Sequence, residues 1–115
     1  MIIDEIDYMF HEDPYGFIMR IDGYMTGYYG SVKTDLFEND VKNRFGDIIE
    51  QAKGVSLTFY WSDQPQEVIS DLASSVELLL DEDANFKLSG KKDEKIADGF
   101  LEYEIILTGM KYRKS

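Results

Sequence analysis

The chain has 115 residues, a net charge of −11, 43% hydrophobic residues, 14% aromatics and no cysteine. Length and composition describe one globular domain, 1–115, able to bury a core, and exclude the low-hydrophobicity profile of a disordered chain. The missing cysteines exclude disulfides, thiolate catalysis and cysteine-held zinc, and the acidic excess leaves little cationic surface for nucleic acid.

The charge is unevenly spread. Residues 1–85 sum to −13 and residues 86–115 to +2; between Gly54 and Asn85 stand seven acidic residues and no Lys or Arg. Such a field selects basic partners without dictating a fold. Met1-Ile2-Ile3-Asp4-Glu5 has neither the basic nor the apolar region of a signal peptide, and no apolar run approaches a membrane span. A cytoplasmic location with no membrane partner is the expectation.

In chain order, Ile2, Ile3, Ile6, Met9 and Phe10 fall near helical spacing and predict a short helix, ended at Asp13-Pro14. Phe17, Met19 and Ile21 alternate as in a strand. The Tyr24–Tyr29 stretch, punctuated by Gly23, Gly27 and Gly30, predicts a hairpin with bends or a bulge. A helix is expected from Asp35 to Lys53, capped by Thr34 or Asp35 and stopped at Gly54. Its stripe is Phe37, Val41, Phe45, Ile48, Ile49 and Ala52.

Val55, Leu57, Phe59 and Trp61 alternate strictly with Ser56, Thr58, Tyr60 and Ser62, the pattern of a half-buried strand. A second helix follows, capped by Ser62 or Asp63, with Val68, Ile69, Leu72, Ala73, Val76, Leu79 and Leu80 on one face through about residue 83. The last segment is expected to pair Asn85–Gly90 with Phe100–Thr108, across a turn at Asp98-Gly99. This order predicts an α+β, two-layer domain: a mostly antiparallel sheet with two main helices packed on one face. The strand at 55–61, between two helices, permits one parallel neighbour.

The second helix carries the leading candidate site. Opposite its apolar stripe lie Glu67, Asp71, Glu77, Asp81 and Glu82, with Ser70, Ser74 and Ser75 between them and Leu78 near the centre. Glu67 and Asp71, four apart, repel by roughly 0.2–0.5 kcal/mol in an isolated helix. Asp81, Glu82 and Asp83 crowd the end where the helix dipole disfavours anions. Local stability is sacrificed here, as at binding sites, although a solvated face of an acidic protein has the same composition. The expected contacts are Glu67, Asp71, Ser74, Leu78, Asp81 and Glu82, with Tyr28 and Tyr29 as a second patch in a tyrosine-rich segment.

Other motifs fail on chemistry. Gly23, Gly27 and Gly30 lack the Gly-Lys-Ser/Thr ending of a phosphate loop. Asp81–Lys92 starts like a calcium loop but has Phe86 where glycine is needed and Lys92 where a bidentate glutamate belongs. His11 is the single histidine, so it builds neither a triad nor a metal site by itself. No catalytic residue, metal or cofactor is expected, and the protein is read as a non-enzyme.

In size, acidity and lack of catalytic residues the chain is similar to the immunity proteins of bacterial toxin–immunity pairs. The resemblance covers no motif, so it transfers no residue. It implies an inhibitor of a basic toxin domain such as a nuclease, whose phosphate-binding site an acidic lid complements. The alternatives are a nucleic-acid mimic or phage-type inhibitor of a DNA-handling enzyme, which the +2 balance of residues 86–115 counts against, and a homo-oligomeric module. A homodimer would pair an edge strand with itself through Tyr103/Ile105 or Phe59/Trp61.

Overall fold

In the computed structural model, which describes residues 24–110, the chain runs β1 (Tyr24–Lys33), α1 (Phe37–Phe45), β2 (Gly54–Trp61), α2 (Gln66–Glu77), β3 (Asn85–Lys92) and β4 (Phe100–Met110). Short 3-10 helices occupy Thr34–Leu36 and Gly46–Gln51. The expected helix over 2–10, the turn at Asp13-Pro14, the strand over 17–22 and His11 lie outside the described residues.

The four strands form one sheet in the order β1-β4-β2-β3. β4 runs antiparallel to both β1 and β2, and β2 runs parallel to β3. Both α1 and α2 contribute to the single core over one sheet face, completing the α+β two-layer architecture. Period-two alternation explains why: Val55, Leu57, Phe59 and Trp61 of β2 and Leu101, Tyr103, Ile105 and Leu107 of β4 are all buried beneath the helices. Each fully buried side chain of this kind contributes roughly 1.5–3 kcal/mol. Phe37 locks α1 onto the sheet through edge-on contacts with Phe59, at 5.1 Å between ring centroids, and Tyr103, at 4.9 Å.

Four details differ from the sequence reading. The first is strand pairing. Asn85–Gly90 does not pair with Phe100–Thr108; β3 lies on the far side of β2, with Leu88 beside Leu57. α2 supplies the crossover that a parallel pair requires. Residues 93–99 then pass over the end of β2, where the Asp93 N–H donates to the Trp61 carbonyl at 2.7 Å.

Second, Tyr24–Lys33 is one strand and not a hairpin. Gly27 and Gly30 sit inside it, and the only irregularity in its pairing with β4 is a register shift at Tyr24/Met25. Gly30 makes room for a neighbour: a methyl group there would lie 2.1 Å from the Tyr28 hydroxyl.

Third, the 35–53 helix is broken. Gly46 adopts φ +53°, which ends α1 at Phe45, and a 3-10 helix carries Ile48 and Ile49 into the core. Neither Thr34 nor Asp35 caps α1, whose N-cap position is Leu36. Likewise Pro65, not Ser62 or Asp63, stands at the N-cap of α2, and its carbonyl accepts from the Val68 and Ile69 N–H groups.

Fourth, the strands expected to offer a self-pairing edge are interior. β2 and β4 are paired on both sides, and Phe59, Tyr103 and Ile105 are fully buried, with Trp61 nearly so. The outer strands of the described sheet are β1 and β3.

Candidate partner-binding site

α2 buries Ile69, Ala73 and Val76 against the core, which turns the opposite side of the helix to solvent. Glu67, Asp71 and Ser74 are exposed there, and Leu78, at the C-cap, is 86% exposed. Steps of four, three and four residues place these side chains in one line along the helix. The direction of Leu78 is fixed by its surroundings. Its N–H donates to the Ser74 carbonyl at 3.0 Å, and Leu79 and Leu80 immediately after it pack against the core. α2 ends at Glu77 and not near residue 83, so Asp81, Glu82 and Asp83 lie past the helix and not in its last turn; they continue the exposed acidic surface, where the Asp83 N–H donates to Asp81 Oδ1 at 3.2 Å. Among the described residues no ion pair engages Glu67, Asp71, Asp81 or Glu82.

α1 differs. Lys42 pairs with Glu38 at 3.1 Å and Arg44 with Asp40 at 3.1 Å, both one helical turn apart. Asp40 also accepts a hydrogen bond from the Tyr103 hydroxyl, and the Arg44 guanidinium lies 3.5 Å from the centroid of the Tyr28 ring. Tyr28 in turn tilts against Tyr103, 5.5 Å between centroids. Burial, then the hydrogen bond to Asp40, holds the Tyr103 hydroxyl protonated well above the usual tyrosine range.

Tyr28 and Tyr29 therefore do not make one patch. As neighbours on a strand they point to opposite faces: Tyr28 packs beneath the helix layer, whereas Tyr29 is 56% exposed on the other side of the sheet. There Tyr29 donates to Glu102 Oε1 and tilts against Tyr60, with 6.4 Å between ring centroids. The Glu102 hydrogen bond, followed by burial and the charges of Glu102 and Glu104, pushes the Tyr29 pKa up to about 12. Alternation assigns Tyr60, Glu102 and Glu104 to the outer side of their strands; only the register shows that they meet Tyr29. Tyr29 stands opposite Glu104, and Glu102 opposite Tyr60.

The described residues contain no group of three or more His, Asp or Glu able to hold a metal ion, and no helix long and apolar enough to cross a membrane.

No protein-family model and no curated protein sequence matches the chain. Solved structures do match in fold. An FtsZ dimer from M. jannaschii superposes with a TM-score of 0.67 at 16% identity, over 95% of this chain and 32% of that one. TubZ from Bacillus thuringiensis serovar israelensis, in GDP-form protofilaments, gives 0.54 at 9% identity, over 76% of this chain and 26% of that one. A TubZ of type III plasmid segregation gives 0.54 at 13%, with the same coverages. The chain thus spans about a third of the FtsZ chain and a quarter of the TubZ chains, and at these identities the likeness is one of fold alone.

Proposed function

We propose that this protein is a non-enzymatic acidic binding module that acts in the cytoplasm and neutralises a basic protein partner, as immunity proteins neutralise nuclease toxins. The observation that carries this reading is the line Glu67, Asp71, Ser74 and Leu78 on α2: exposed, without ion pairs among the described residues, and with an 86% exposed leucine among carboxylates. Carboxylates in that arrangement steer a cationic surface and set its orientation, and the leucine supplies the apolar anchor that becomes dry on docking. Asp81 and Glu82 extend the negative surface beyond the helix.

Association kinetics test the reading. With a basic protein captured by copurification with this chain as bait, the Glu67→Lys/Asp71→Lys variant should associate at least about tenfold more slowly at low salt, and the difference should shrink as salt rises; capture of no basic protein would remove the reading. An unchanged rate would remove α2 from the interface.

A second reading is a self-assembling module. It is favoured by the fold likeness to an FtsZ dimer and to TubZ protofilaments, and by β1 and β3 as outer strands of the described sheet. It predicts a concentration-dependent rise in mass by sedimentation with no other protein present. A net charge of −11 works against such self-association at low salt.

A further inference from the structure

β2 is buried on both faces of the sheet, although α1, α2 and the 46–51 3-10 helix place their buried side chains over one face only. On the opposite face, alternation and register bring together Ser56 and Thr58 of β2, Ser89 of β3 and Thr108 of β4. All four are between 1% and 9% exposed. A sheet face turned to water keeps its small hydroxyl side chains wet. Here the Ser56 hydroxyl is sealed without a hydrogen-bond partner, so the atoms closing over it offer it no polar group. Lys87 and Ser89, on the same face of β3, are both engaged as well.

The cover is local. Met25 and Tyr29 of β1, on the same face, are 59% and 56% exposed, so it lies over β2 and β3 and stops before β1. The 93–99 connection does not account for it. That connection crosses β2 beside Trp61, whereas Ser56 lies five residues, about 16 Å, along the strand. Thr108, opposite Gly54, is further still, and Asp81–Asp83 near that end are themselves exposed.

We propose that residues 1–23 of this chain supply the cover, laying apolar side chains over β2 and β3 on the face away from α1 and α2. Three properties select this segment. First, it joins β1 at Tyr24, opposite Met110, at the end of the sheet that holds Gly54, Thr108 and Ser56. From β1 to β3 is three strand spacings, about 14 Å, well within its reach. Second, it is rich in the side chains that such a cover requires: Ile2, Ile3 and Ile6, then Phe17, Met19 and Ile21 in alternation. Third, it carries six acidic residues against Arg20 as its one Lys or Arg, which suits the β3 side of the face, where Lys87 and Lys91 stand. Residues 111–115 fit less well: Lys111, Arg113 and Lys114 are cationic, and Tyr112 is their one large apolar group. The cover closes this face to partners. The α2 reading makes no use of the face, so either can fail while the other stands.

The test is NMR on the full chain with labelled Ile, Met and Thr methyl groups. Nuclear Overhauser contacts are expected from Ile and Met methyls of residues 1–23 to the γ-methyls of Thr58 and Thr108. A soluble gadolinium chelate should broaden the Met25 methyl strongly and leave those of Thr58 and Thr108 sharp. Contacts to Thr58 and Thr108 that come from residues 111–115 instead would overturn the proposal. So would contacts seen only between differently labelled copies in a mixed sample, which would make the occupant a second molecule. Thr58 and Thr108 methyls that broaden as strongly as that of Met25, or that show no contact with residues 1–23, would overturn it equally.

Discussion

α1 and α2 lie on the same face of the same sheet, and both carry carboxylates, yet they use them differently. On α1, Glu38 and Asp40 are matched one turn later by Lys42 and Arg44, and Asp40 is tied through Tyr103 to the central region of the sheet. On α2, Glu67 and Asp71 face each other's charge with no cation among the described residues to offset it. The acidity of this chain is therefore of two kinds. One kind is spent inside the fold, and the other is left available to something outside it.

This contrast predicts opposite consequences for substitutions on the two helices. The largest effect belongs to Phe37→Ala on α1, which removes a fully buried ring wedged between Phe59 and Tyr103. It should lower stability by about 3–5 kcal/mol, read as a fall in the urea midpoint with little change in slope. Next comes Asp40→Ala. It strands the Tyr103 hydroxyl and leaves Arg44 without its carboxylate, for a loss of about 1–3 kcal/mol in the same assay. A stability change within about 0.3 kcal/mol would mean that the α1 carboxylates are as dispensable to the fold as those of α2.

Alkaline titration adds an intermediate effect from the tyrosines. The folded-state pKa of Tyr29 is raised from 10.0 to about 12, so the fold favours its protonated form. Its contribution is complete below pH 10 and is lost as pH rises through about 12; Tyr103 is shifted in the same direction. Stability should fall across that window, and Tyr29→Phe should flatten part of the fall, with tyrosinate absorbance as the readout. The smallest effect on folding belongs to Glu67→Lys/Asp71→Lys. It should change stability by no more than about 0.5 kcal/mol, because one like-charge pair replaces another and no internal partner is lost.

Much of this architecture was legible in the residues, for identifiable reasons. Strict alternation located β2 and β4 within two residues of their observed ends, but β2 is not half-buried as its pattern suggests: Ser56 and Thr58, on the polar side, are at most 9% exposed. The apolar stripe of α2 placed Glu67, Asp71, Ser74 and Leu78 on the opposite side, and those four are exposed together. Pairing was less legible. A short strand such as Asn85–Lys92 carries no sign of which neighbour it joins, and its place beside β2 follows from the α2 crossover. Gly46 was hidden because Phe45, Ile48 and Ile49 keep helical spacing on both sides of it. The 3-10 helix meets the same core with a different backbone. Tyr28 and Tyr29 illustrate the remaining limit: composition groups them, whereas the pleat of β1 sends one inward and the other outward.

The proposed availability of the α2 carboxylates to an outside cation is tested most directly by hydrogen exchange on the complex with a basic protein captured by copurification. Slowed exchange is predicted at the amides from Asp71 to Glu82, and it should disappear together with the complex in the Glu67→Lys/Asp71→Lys variant. A stable complex that leaves α2 exchanging at its free rate, or that forms equally well with the variant, would contradict the account.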